Sequence, residues 1–113
     1  MERKVFITAK IRDRLFDLIR TGRKRYEVRD ASFEDARMIV YISAEDRSLL
    51  GIYELGESMA LDRGDDTETI RLSGVSEKDF HELFPPPDRG GASKLWVARI
   101  GAPINVEQLL GGK

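Results

Sequence analysis

Cysteine is absent from this sequence, and with it go disulfide bridges, thiolate metal sites and any cysteine nucleophile. There is one histidine, His81. No second ligand stands at helical spacing from it, so it reads as a solitary surface side chain, with no metal or cofactor expected. A phosphate-cradling glycine loop is also missing, because Gly90-Gly91 lacks both the lysine and the following helix. Apolar runs such as Met38-Ile39-Val40-Tyr41-Ile42 are short against the roughly 18 residues of a membrane span. Met1-Glu2-Arg3-Lys4 leads into no apolar signal segment. The expectation is a cytoplasmic protein without a membrane partner.

What is present suits one modest core inside a heavily charged surface: 41% of the 113 residues are hydrophobic and 35% charged. A single domain over residues 1–113 is expected. The net charge of −1 conceals a split. Residues 1–29 hold ten Lys/Arg against four Asp/Glu, net +6, and residues 30–113 hold nine against sixteen, net −7. Such asymmetry fits a localised anion-binding surface, and equally a basic segment packed against an acidic one.

Val5-Phe6-Ile7 reads as a first strand. Ile11, Leu15, Leu18 and Ile19 then fall at i, i+4, i+7 and i+8, one face of a helix, with Thr8 as its cap. Gly22 sits where a left-handed C′ residue ends a helix. From Arg25 the period becomes two: Tyr26 and Val28 point to a core, and Arg25, Glu27 and Arg29 to the opposite, solvated face. Asp30 to Arg37 reads as a loop, and Met38–Ile42 as a strand buried on both sides. Ala44 to Ser48 turns into Leu49–Leu55, a hairpin in which Gly51 marks a bulge or a close backbone approach. That strand continues with a bend through Gly56 to Leu61. Asp62 to Asp66 is a surface loop by composition, and Thr67 to Leu72 leans to helix. Ser76 caps a helix carrying Phe80, Leu83 and Phe84, which Pro85-Pro86-Pro87 ends. Leu95–Ile100 is a strong strand, followed by Pro103 to Val106 and a short turn at Glu107 to Leu110. The order of elements indicates an α+β fold.

Gly22, Lys24, Glu27 and Arg29 fit the spacing GxKxxExR directly after a short amphipathic helix. In this slot the motif resembles that of the ASCH family, relatives of the PUA domain. The similarity runs on through Val40 to Ser43, Leu50 to Leu55, Ser73 to Phe84 and the terminal strand with Pro103-Ile104. The resemblance implies a small PUA-like β-barrel, with a helix near the N-terminus and short helices before the last strand. It further implies a cleft lined by the motif, and RNA or a nucleotide-like ligand in it. Some relatives are hydrolases acting on RNA phosphodiesters or on acetylated cytidine. The amidohydrolase type uses a threonine three residues beyond the lysine, and here that slot holds Glu27. Arg25 stands where the family commonly has threonine.

By residue chemistry, Lys24 offers a compact ammonium for a phosphate and Arg29 a planar fork for a phosphate or guanine. Glu27 offers an acceptor for a base amine or ribose hydroxyl, or a general base. Arg25 adds positive field, and Ser43, at a strand end, is placed to line the cleft and donate to a phosphate. Blander readings stand beside these. Lys24 complements the first helix's C-terminus, Glu27 and Arg29 pair on a solvated face, and Arg25 is simply solvated. Tyr41 and Trp96 are stacking candidates or core. The leading expectation is an RNA- or nucleotide-binding module using Lys24, Arg25, Glu27, Arg29 and Ser43. The alternative is a hydrolase, a metal-independent ribonuclease or an amidohydrolase on a modified nucleoside, with Lys24 and Glu27 catalytic. A protein–protein adaptor using the acidic remainder is the third possibility.

Overall fold

A computed structural model describes residues 5–105 and Glu107. The expected Glu107 to Leu110 turn and Val106 therefore lie largely outside the described residues. The elements in chain order are β1 (Phe6–Ile11), α1 (Asp13–Arg20), β2 (Tyr26–Arg29), β3 (Met38–Ser43) and β4 (Leu49–Asp62). They are followed by α2 (Thr67–Ser73), α3 (Glu77–Leu83), a 3₁₀ turn (Pro87–Arg89) and β5 (Lys94–Pro103). Five strands form one sheet in the order β1-β3-β4-β5-β2, with β1 and β3 parallel and the other pairs antiparallel. The sheet curls into a half-barrel, an α+β fold of PUA-like type. Its two edge strands, β1 and β2, do not pair with each other, so the barrel is open between them.

The first helix starts later than its periodicity suggests. Ile11 is the last residue of β1, Arg12 is extended (φ −69°, ψ 144°), and Thr8 lies inside the strand rather than at a cap. An apolar side chain four residues before Leu15 satisfies the helical spacing equally well from a strand end. The helix closes as expected. Gly22 adopts φ 79°, and the Arg23 amide donates to the Leu18 carbonyl at 2.8 Å.

Between β1 and β2 the chain crosses the whole sheet, which lays α1 over its concave side. Leu15, Phe16 and Ile19 pack there with Phe33, Ile39, Tyr41, Tyr53 and Ile100. Phe16, Tyr41 and Tyr53 form an aromatic trio with centroids 5.8–6.1 Å apart. Both readings of Gly51 hold. The β3–β4 register shifts beside it, and a Cβ there would lie 3.1 Å from the Phe16 ring. β3 is fully buried on its Ile39, Tyr41 and Ser43 side and only half-covered on the other, so it is not buried on both faces. A second cluster joins Val28, Phe80, Leu95 and Val97 beneath α2 and α3. Ser76 caps α3 by accepting from the Asp79 amide at 3.1 Å.

The Asp62–Asp66 segment is not merely a surface loop. Arg63 is 8% exposed and stacks over Phe80. Its guanidinium donates to Asp66 at 3.0 Å and to the carbonyls of Phe84, Pro85 and Ala92. It clasps the proline segment to the start of β5. Gly91 passes so close to that segment that a Cβ would lie 1.7 Å from the Pro85 carbonyl oxygen.

Candidate functional site

A cleft of about 380 Å³ opens where the half-barrel fails to close. One wall comes from the end of β1 and the start of α1, the other from Lys24, Glu27 and Val28, and α3 lies across the top with Asp79, Glu82 and Leu83. Lys10, Arg12 and Arg14, all exposed, make one rim basic. Arg14 reaches across to Asp79 at 3.3 Å and bridges the two sides.

Lys24 is not the free ammonium its turn position suggests; it is 7% exposed. Its Nζ donates to the Tyr26 carbonyl at 2.9 Å and to the Ser73 carbonyl at 2.5 Å. Ser73 ends α2, so Lys24 does complement a helix C-terminus, but that of α2 rather than α1. Gly74, at φ 75°, lets the lysine stem pass, since a Cβ there would sit 3.3 Å from Lys24 Cβ. Of the three ammonium donors two are committed, which leaves one. Burial lowers the Lys24 pKa, and the neighbouring Glu27 charge partly restores it.

The alternation along β2 is as read, but its second face is not solvated. Tyr26 and Val28 pack against the α2–α3 cluster. Glu27 and Arg29 point to the side covered by the α1 cluster, where Arg29 lies 5.7 Å above the Phe33 ring. Glu27 Oε1 accepts the Tyr41 hydroxyl at 2.7 Å, and Oε2 has no hydrogen-bond partner among the described residues. Burial raises the Glu27 pKa, offset in part by Lys24, the Tyr41 hydrogen bond and Arg29.

Of the five residues singled out in the sequence, the structure brings Lys24 and Glu27 together in the cleft. Arg29 does not line it, and its buried Nη1 lacks a hydrogen-bond partner among the described residues. Arg25 is exposed and folds back, its Nε donating to the Gly22 carbonyl at 3.1 Å. Ser43 is fully buried and its hydroxyl is used up: it donates to Asp13 at 2.7 Å and accepts from the Glu45 and Asp46 amides in the β3–β4 turn. It organises that turn instead of facing the cleft. Tyr41 is entirely buried and offers no free stacking face, and Trp96 is half-buried against the main cluster. Sequence reasoning missed Lys10, Arg12 and Arg14 as individuals, although they carry much of the +6 bias of the N-terminal segment. It also missed Ser73 and Asp79, which lie some fifty or more residues from their partners Lys24 and Arg14 and carry no local signal.

The fold has counterparts among solved structures. The ASCH protein of Zymomonas mobilis matches at TM-score 0.69 and 19% identity, over 96% of this chain and 79% of that one. The chain has the ASCH fold. A tyrosine-to-phenylalanine variant of the Zymomonas protein matches at TM-score 0.67 and 19% identity, over 96% of this chain and 81% of that one. A serine-to-alanine variant matches at 0.68 and 17%, over 98% and 81%. No family model matches the chain, and no curated protein matches it. Lys24 and Glu27 stand at the helix–strand junction that opens onto the cleft. Among the described residues no three His, Asp or Glu side chains group as a metal site, and no helix is long and apolar enough to cross a membrane.

Proposed function

We propose that this cleft binds single-stranded RNA or a nucleotide-like ligand. The observation that carries the reading is buried Lys24 beside half-buried Glu27, both opening onto a cleft rimmed by Lys10, Arg12 and Arg14. The rim supplies cations for phosphates, and the pair supplies one donor and one acceptor behind them. The resemblance to the ASCH family points the same way. Affinity for a short single-stranded RNA is expected to fall steeply with salt, and Arg12→Ala to reduce the log–log slope by about one. Lys24→Ala is expected to weaken binding at every salt concentration. Binding indifferent to salt, or untouched in both variants, removes the proposal.

One observation favours a second reading, hydrolysis of the bound RNA. Glu27 is shifted up and Lys24 down by the same burial, which moves both towards neutrality, where acid–base groups work best. RNA incubated with the protein, with and without chelator, is then cleaved by the natural chain and spared by Glu27→Gln. Equal cleavage by both marks a contaminating nuclease.

A further inference from the structure

The two strands that border the cleft are the two free edges of the sheet. Which of their main-chain groups face the gap follows from the bonds they make on the other side. The Ile11 carbonyl accepts from the Ala44 amide at 2.8 Å, so Ile11 turns its peptide groups towards β3. Strand geometry then turns those of Lys10, the next residue back, outward to the gap. On β2 the Arg25 carbonyl accepts from the Ile100 amide at 2.8 Å. Residues 25, 27 and 29 therefore bond β5, and Tyr26 and Val28 face the gap. The bond from Lys24 Nζ to the Tyr26 carbonyl agrees with this, since the ammonium occupies a place a neighbouring strand would fill.

Lys10 and Val28 both line the cleft, and their outward N–H and C=O groups have no protein partner among the described residues. Main-chain groups left unpaired along two strand edges that border one cleft are a ready hydrogen-bonding frame. Beside it stand Glu27 Oε2 and the third Lys24 donor. Apolar surface is supplied by Leu15, Val75 and the half-exposed Leu83.

We propose that the gap between β1 and β2 holds one unpaired nucleobase, edge-on, hydrogen-bonded to the main chain of Lys10 and Val28. This rests on the reading of the cleft as an RNA or nucleotide site and specifies which part of the ligand enters it. The volume is near the lower end of small-molecule pockets, roughly 300–1,000 Å³, and α3 crosses the top, which suits one planar ring better than a peptide strand. The base presents donors and acceptors along its edge to the strands, and its faces meet the apolar side chains. The phosphates stay outside on Lys10, Arg12 and Arg14. Duplex RNA cannot enter this way, because its bases are paired and stacked.

The test is an amide NMR titration of the intact chain with the four free nucleosides, with inorganic phosphate and with a short unstructured peptide. At least one nucleoside is expected to shift the Lys10 and Val28 amides together, and phosphate to shift the Lys10, Arg12 and Arg14 region and leave Val28 unmoved. Nucleosides that leave those two amides unmoved while single-stranded RNA still binds overturn the inference and leave the RNA-binding proposal standing; so does a shift produced by the peptide alone. A pair of variants separates main chain from side chain. Lys10→Ala removes the ammonium and keeps the N–H, whereas Lys10→Pro removes both, and proline is tolerated on an edge strand whose N–H faces outward. Nucleoside affinity in Lys10→Pro is expected to be about threefold to tenfold below that of Lys10→Ala, the worth of one hydrogen bond. Equal affinities overturn the inference.

Discussion

The Tyr41 hydroxyl, in the centre of the core, donates to Glu27 Oε1 at 2.7 Å across the concave side of the sheet. Through it, a core aromatic residue fourteen positions along the chain orients a cleft carboxylate and leaves its other oxygen free. The same bond favours the ionised form of Glu27 against the burial that opposes it.

A pH prediction follows from this bond. Glu27 has a folded pKa above its ordinary 4.5, so the folded state holds the proton more tightly than the unfolded chain. Its contribution to stability is present below pH 4.5 and is lost as the pH rises through the folded pKa. Tyr41→Phe removes a group that lowers that pKa, so the loss on raising the pH becomes larger and extends to higher pH. Urea midpoints of both proteins between pH 4 and 8, compared at constant salt, check this (about four pH values suffice to draw each curve).

The Arg14–Asp79 bridge sets a second expectation. Both partners touch solvent, so breaking the pair costs folding less than about 1 kcal/mol. Asp79→Asn also removes a negative charge from the cleft and frees Arg14 for phosphate. RNA binds the variant roughly threefold more tightly at low salt, the scale of one screened surface charge, and the gain fades at high salt. Weaker binding would show that the bridge shapes the cleft rather than obstructing it.

Arg63 is expected to matter for folding alone. Arg63→Ala strands Asp66 and three carbonyls, and a broken buried pair of this kind costs about 3–5 kcal/mol. Chemical denaturation measures the loss. Gly91→Ala should be comparably damaging, since its Cβ has no room beside Pro85.

Much of this fold was legible in the chain. Gly22 ends α1, the five-residue turn from Ala44 to Ser48 separates β3 from β4, and Ser76 caps α3, because each depends on neighbours within a few positions. The misreadings share one physical origin. Alternation along β2 showed that Glu27 and Arg29 point opposite to Tyr26 and Val28, but nothing local says what covers a side. Here α2 and α3 cover one and α1 the other, so charges read as solvated are half-buried. Ser43 failed as a cleft residue for a related reason: a hydroxyl at a strand end serves a turn or a ligand according to where the next residues go, and here Asp13, Glu45 and Asp46 claim it.

By itself, then, the sequence determined the order of the elements, the Gly22 stop, the Ser76 cap and the placing of Lys24 and Glu27 near one helix–strand junction, since these rest on spacing and short-range geometry. Tertiary structure alone decided that Lys24 ends α2, that Tyr41 holds Glu27, that Arg63 is a buried clasp and that two sheet edges face each other unpaired. Those facts depend on contacts between residues far apart in the chain, whose meeting is settled by how the whole sheet curls around α1.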